Sequence, residues 1–106
     1  MGIFDLFKGH DINQGVEECK GTSGAVLLDV RTKEEYREGR IPGSRNIPLD
    51  QLTGISSAVK EKATPLYVYC HSGARSGQAV SILKRMGYTN VKNIGGIVTY
   101  KGKVER

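Results

Sequence analysis

The run Ala25-Val26-Leu27-Leu28-Asp29-Val30 is apolar at every position but one, and it constrains the fold more than any other stretch. A strand with one wet face alternates polar and apolar residues. A strand covered on both faces does not, and such runs belong to parallel sheets with helices packed on each side. Leu66-Tyr67-Val68-Tyr69 reads as a second buried strand, ending at Cys70, and residues 91–94 read as a third. Between them the spacing turns helical. Asp11 is placed to cap a helix from Ile12 to Lys20, with Ile12, Val16 and Cys19 on one face. Thr32-Lys33-Glu34-Glu35 has capping-box spacing and predicts a short helix from Lys33 to Glu38 that stops at Gly39.

Later segments follow the same logic. Asn46-Ile47-Pro48 reads as a short extended piece, and residues 49–52 and 55–62 as weak helices separated by Gly54. Residues 75–86 read as a helix with Ala79, Ile82, Leu83 and Met86 inward and Gly87 as its stop, and Gly95-Gly96 as a sharp turn. Strand, helix, strand, helix, strand with short connections predicts an α/β fold, a central, mainly parallel β-sheet flanked by helices on both faces. The 106 residues suffice for a single domain with its own core, spanning residues 1–106, without metal or disulfide.

A net charge of +5 favours anionic partners, but the 16 Lys and Arg are scattered and there is no Trp, so nucleic acid is not an expected partner. Two cysteines and two histidines, His10 and His71, without zinc-ligand spacing exclude a metal site, and no cofactor is expected. Cys19, on a helix face, is expected to be a core thiol, unpaired with Cys70. The first residues, with Ile3, Phe4, Leu6 and Phe7 as an apolar cluster, lack a secretory pattern, and Leu6 stands where a myristoylation signal needs Ser or Thr. No apolar run reaches membrane-spanning length, so a cytoplasmic protein with no membrane partner is expected.

Function concentrates where the second strand ends. Cys70-His71-Ser72-Gly73-Ala74-Arg75-Ser76 places a thiol before a glycine-containing turn that opens a helix. Inward backbone N–H groups, the positive end of the helix and the charge of Arg75 all favour a thiolate or a small anion there. Ser72 and Ser76 add hydroxyl donors, and Gly73 supplies dihedrals that a side chain would resist. Asp29, at the end of the first strand, falls at the same edge of the sheet, where α/β folds bind ligands.

The wider pattern resembles the single-domain rhodaneses, a sulfurtransferase family. Asp29-Val30-Arg31, Glu35-Tyr36 and Gly39-Arg40-Ile41-Pro42-Gly43-Ser44-Arg45-Asn46-Ile47-Pro48 resemble its first signature, with Arg40 for a frequent histidine and Ser44 for a frequent alanine. Gly95-Gly96-Ile97-Val98-Thr99-Tyr100 resembles its second, with Tyr100 for tryptophan. The loop from Cys70 to Arg75 has the family's Cys-x4-Arg length. Related phosphatases and arsenate reductases carry a loop one residue longer, in keeping with a larger oxyanion.

The resemblance implies a rhodanese-like fold and a thiosulfate sulfurtransferase-type enzyme. Cys70 is its implied nucleophile, taking a sulfane sulfur from thiosulfate or a persulfide donor and passing it to a thiol, cyanide or protein acceptor. His71, Ser72, Gly73, Ala74, Arg75 and Ser76 are the implied substrate-binding loop, with Arg75 orienting the anionic donor. Asp29 ties neighbouring loops, Arg31 is expected to pair with Glu35, Arg40 and Arg45 line the approach, His71 faces the mouth, and Tyr100 packs. A persulfide carrier or redox adaptor is the alternative, and a small phosphatase or arsenate reductase a more distant one. The oligomeric state is left open.

Overall fold

The computed structural model describes residues 11–106. The apolar cluster of Ile3, Phe4, Leu6 and Phe7, and His10, lie outside the described residues. Four parallel strands, β1 (Val26–Asp29), β2 (Arg45–Asn46), β3 (Leu66–Cys70) and β4 (Val91–Gly96), form one sheet in the order β2-β1-β3-β4. The helices are α1 (Ile12–Lys20), α2 (Lys33–Glu38), α3 (Ile55–Ala58) and α4 (Ala74–Arg85), with 3₁₀ turns at Leu49–Gly54 and Ile97–Thr99.

β3 is buried at all five positions, and its alternation divides the core. Leu66, Val68 and Cys70 join Leu28, Val30, Leu52, Ile55, Ala79 and Leu83 on the face covered by α3 and α4. Tyr67 and Tyr69 join Ile12, Val16, Leu27, Ile41 and Ile94 on the face covered by α1. Cys70 is therefore the last core residue of the central strand and the first residue of the loop. Apolar burial on both faces is what a continuous apolar run requires.

Local signals hold where they are strong. Asp11 accepts from the Asn13 N–H at 3.0 Å and caps α1. Thr32 and Glu35 form the reciprocal capping box of α2, the Thr32 hydroxyl accepting from the Glu35 N–H at 3.2 Å and the Glu35 carboxylate from the Thr32 N–H at 3.1 Å. Where the expectation rested on weak propensity, tertiary packing decides. Residues 49–54 form a 3₁₀ turn, and the helix expected over 55–62 stops at Ala58 because Val59 turns extended and drops into the core.

Gly95-Gly96 is not a sharp turn but the end of β4. The register with β3 slips between Val68 and Tyr69, so Ile94 is the extra residue of a bulge and Gly95 takes φ +105°. Gly96 lies directly against the loop after Cys70, and a Cβ there would overlap the His71 carbonyl oxygen and the Ser72 Cα. The glycine pair lets the sheet approach the loop's backbone.

Arg31 does not pair with Glu35. It folds back on Asp29, donating from Nε to both carboxylate oxygens at 3.1 Å and from Nη2 to Oδ2 at 2.7 Å, while its own N–H bonds Oδ1 at 2.8 Å. Nη2 also reaches the Gly39 carbonyl at 2.7 Å, so the fork ties β1 to the end of α2. The short link between positions 29 and 31 makes this pair available before Glu35 is in reach. Asp29 is fully buried and Arg31 nearly so, and a buried charge stripped of its partner is costly. Replacing Asp29 by Ala is expected to lower unfolding stability by about 3–5 kcal/mol, measured by urea denaturation; a loss under about 1 kcal/mol would show that the pair behaves as a surface one.

Candidate active site

Register brings the site together. Asp29 pairs with Tyr69 and Cys70 with Gly96, so the ends of β1, β3 and β4 meet at one edge of the sheet. α4 begins at Ala74, one residue before the expected Arg75, because Gly73 at φ +108° reverses the chain immediately ahead of it. That reversal turns the loop N–H groups back toward the strand end.

The Cys70 Sγ sits on the floor of this turn, with the residue only 1% exposed. The Gly73 N–H donates to it at 3.0 Å, and the Ser76 Oγ lies 3.4 Å away. Burial pushes the thiol's pKa up, but bonds from the Ser76 hydroxyl and from the N–H groups of Ser76, Gly73 and Ser72 outweigh it and bring the pKa below its ordinary value. A fixed cradle of donors around a desolvated sulfur stabilises negative charge without waiting for solvent to reorient. His71, Ser72 and Ala74 are exposed around the mouth. A cleft lined by Arg31, Glu35, His71, Ile97 and Val104 runs beside them.

Arg75 is held. Its Nη1 and Nη2 meet the two oxygens of Glu35 at 2.7 and 3.0 Å, a fork-to-carboxylate pair joining the first turn of α4 to α2. The acid that engages it is therefore Glu35, since Asp29 is taken by Arg31. Arg75, with the Thr32 N–H and hydroxyl, holds the Glu35 carboxyl well below the usual range, at about 2. Arg40 bridges to Glu105 at 3.6 Å and stacks on the Tyr36 ring at 5.2 Å, so its contacts are with the C-terminal tail and α2. Arg45 is exposed on β2. Tyr100 packs against the α1-side core. Cys19 is half-buried there, and both cysteines are free.

Sequence reasoning passed over Asn93. Its Oδ1 accepts from the Gly95 N–H at 2.9 Å and from the Ser76 hydroxyl at 2.7 Å, and its Nδ2 donates to the Gly73 carbonyl at 3.2 Å. One amide thus ties the bulge of β4 to both ends of the turn around Cys70. The available signal was a residue type that strands avoid, placed inside an otherwise strand-like segment just before two glycines. Among the described residues no cluster of His, Cys, Asp and Glu is able to hold a metal ion, and no helix is long and apolar enough to cross a membrane.

The Glu35–Arg75 pair carries a pH signature. The folded pKa of Glu35 lies below the unfolded one, so its contribution is complete above the unfolded value of about 4.3 and is lost as pH falls through about 2. Both side chains are about a third exposed, which limits the pair to about 1 kcal/mol or less. Glu35→Gln is expected to melt below the wild type at pH 7, with the gap closing between pH 4 and pH 2. A gap of constant size across that range would remove the pair's charge from the account.

Residues 13–103 match the Rhodanese-like domain family. A thiosulfate sulfurtransferase of Escherichia coli, PspE, is 45% identical over 71 residues, covering 66% of this chain and 68% of its own. A putative sulfur carrier protein of Bacillus subtilis, YrkF, is 38% identical over 80 residues, covering 74% of this chain and 43% of its own. The solved structure of a rhodanese with anions from E. coli superposes with a TM-score of 0.72 at 38% identity, covering 77% of this chain and 98% of that one. With a buried thiol in a Cys-x4-Arg loop at the carboxyl edge of a parallel sheet, and a family match across most of its length, the chain belongs to the rhodanese-like sulfurtransferases.

Proposed function

We propose that the protein moves a sulfane sulfur from thiosulfate or a persulfide donor to a thiophilic acceptor through a persulfide on Cys70. The observation that carries this reading is the donor cradle on the Cys70 sulfur, whose N–H groups lower the thiol's pKa against its burial. The thiolate attacks the outer sulfur of thiosulfate, the sulfur–sulfur bond breaks, and sulfite leaves with the bonding pair. The product, Cys70–S–S⁻, keeps one negative charge at the mouth of the same loop, where the N–H groups of the turn face it. Cyanide, a thiol or a protein acceptor then attacks the terminal sulfur and returns the Cys70 thiolate.

Ser72, Gly73 and Ser76 serve as donors to sulfur, and His71 and Ala74 shape the exposed mouth. Arg75 contributes its charge from a fixed position. Because Glu35 holds both arms of its fork, it acts first as a brace of the loop and only at longer range on an anionic donor. Asp29 acts through Arg31 as a structural tie, and Arg40 supports the tail and α2. The site uses no metal or cofactor in this reading, and a cytoplasmic setting remains part of it.

Treatment with thiosulfate should add the mass of one sulfur atom to the intact protein, localised to Cys70, and cyanide should remove it over many turnovers with ping-pong kinetics. Cys70→Ser should lose both. Sulfur transfer surviving in that variant would overturn the assignment. A loaded Cys70 that discharges to no small acceptor would instead place the chain among sulfur carriers. Hydrolysis of an aryl phosphate exceeding sulfur transfer would return the phosphatase reading.

A further inference from the structure

Ser76 has one hydroxyl proton and three acceptors around it. The Asn93 Oδ1 lies at 2.7 Å, the Gly73 carbonyl oxygen at 3.0 Å and the Cys70 Sγ at 3.4 Å. Ser76 is fully buried, so no solvent supplies a further donor. The orientation of Asn93 decides which acceptor takes the proton. The Gly95 N–H is a fixed donor 2.9 Å from one end of the Asn93 amide, so that end is the oxygen. The same oxygen faces Ser76 at the shorter distance and brings no proton of its own, while the Gly73 carbonyl already accepts from the Asn93 Nδ2 and the Gly77 N–H, so the hydroxyl donates to Asn93.

A hydroxyl turned toward Asn93 presents a lone pair to Cys70. That arrangement suits the thiol, whose S–H then donates to Ser76. It does not suit the thiolate, which faces a lone pair until the hydroxyl rotates.

Building on the persulfide reading above, we propose that Asn93 is a positioning residue for the Cys70 chemistry. It holds the Ser76 proton away from the resting thiol and takes it back once sulfur is loaded. In the thiolate the hydroxyl turns about its Cβ–Oγ bond and donates to the sulfur, since a charged acceptor outbids a neutral amide. The Asn93 bond is given up in exchange. When the thiolate attacks, the new bond draws the negative charge outward to the terminal sulfur. The Sγ becomes a weak acceptor and the hydroxyl returns to Asn93. The proton stays on Ser76 throughout, and the thiol proton leaves to solvent. Asn93 thereby raises the thiolate relative to both the thiol and the persulfide, keeping it nucleophilic inside a cradle that would otherwise overstabilise it.

The charged and titratable groups around the sulfur are Arg75 of α4 with Glu35 of α2, the Asp29–Arg31 pair at the end of β1, and the neighbouring His71. The adjoining part of β4, Asn93 to Gly96, carries none. Changing Asn93 to Ala alters none of them.

The test is the pH dependence of Cys70 alkylation by iodoacetamide, which needs no sulfur donor and is scored apart from thiosulfate turnover. Asn93→Ala is expected to lower the midpoint by about half a unit to one unit, because the hydroxyl then gives up only the longer 3.0 Å contact to the Gly73 carbonyl when it turns to the thiolate. A brace that merely steadied the loop would act oppositely, since a loosened N–H cradle raises the midpoint. In the Ser76→Ala background the Asn93→Ala drop is expected to vanish. Should Asn93→Ala fail to fold, the wild type decides by NMR. The Gly95 amide proton, which shares the Asn93 oxygen with Ser76, is expected to shift downfield with the Cys70 midpoint and to lose that shift in Ser76→Ala. An Asn93→Ala midpoint at or above the wild-type value, a drop that survives without Ser76, or a Gly95 shift that persists in Ser76→Ala would each overturn the proposal. Loss of thiosulfate turnover in the wild type would strike the persulfide reading while leaving these midpoints interpretable.

Discussion

The Cys70 sulfur is closed off from water and ringed by donors that favour its charged form, and the rest of the structure is arranged around that contest. Desolvation works against the Cys70 thiolate, and only donors already pointing at the sulfur outweigh it. Backbone donors are suited to this because they carry no side-chain rotamers to freeze, but they demand a turn of fixed shape. Gly73 supplies the left-handed backbone that makes the turn, and Gly96 lets β4 press against its outer side. Ser76 and Asn93 close it from within. The cradle is therefore a property of the β3–loop–α4 unit packed on β4, and no single residue accounts for it.

Two ion pairs hold that unit in place, and they differ in kind. Asp29–Arg31 is buried and reaches in one step from the end of β1 to the Gly39 carbonyl at the end of α2. Its worth lies in fixing where the first signature sits, since a hydrophobic pair of similar volume would stabilise as well without specifying geometry. Glu35–Arg75 is partly exposed and contributes little to stability. Its importance is positional. Glu35 already caps its own helix through Thr32, so when Arg75 joins, the Cys70 loop inherits the rigidity of the capping box.

The parts legible in the sequence were those encoded by neighbours in the chain. The apolar runs gave the parallel strands, Asp11 and Thr32 gave the helix starts to the residue, and the loop motif gave Cys70 and its flanking donors. What stayed hidden depended on partners distant in sequence, or on the choice between two near ones. Arg31 has carboxylates on both sides of it, and only the folded end of β1 shows that Asp29 wins. Arg75 and Glu35 are 40 residues apart. Gly95-Gly96 carries a turn signature, yet the pair lies inside a strand because a neighbouring loop, and not a chain reversal, needs the space. Asn93 was passed over for the same reason: two of its three bonds go to Ser76 and Gly73, 17 and 20 residues away.

The short loop has a consequence for the substrate that follows from these contacts. An arginine whose fork is free can clasp the oxygens of an oxyanion bidentately. Here both arms of Arg75 are already spent on Glu35, on the α2 side of the loop, and the inner surface is left to N–H groups and one hydroxyl. Such a surface is matched to a single soft atom bearing spread-out charge, which accepts several weak bonds at once. It is poorly matched to three hard oxygens that each want a strong donor. On the proposed sulfur-transfer reading, selection for sulfur arises from where the arginine is tied as much as from how many residues the loop contains.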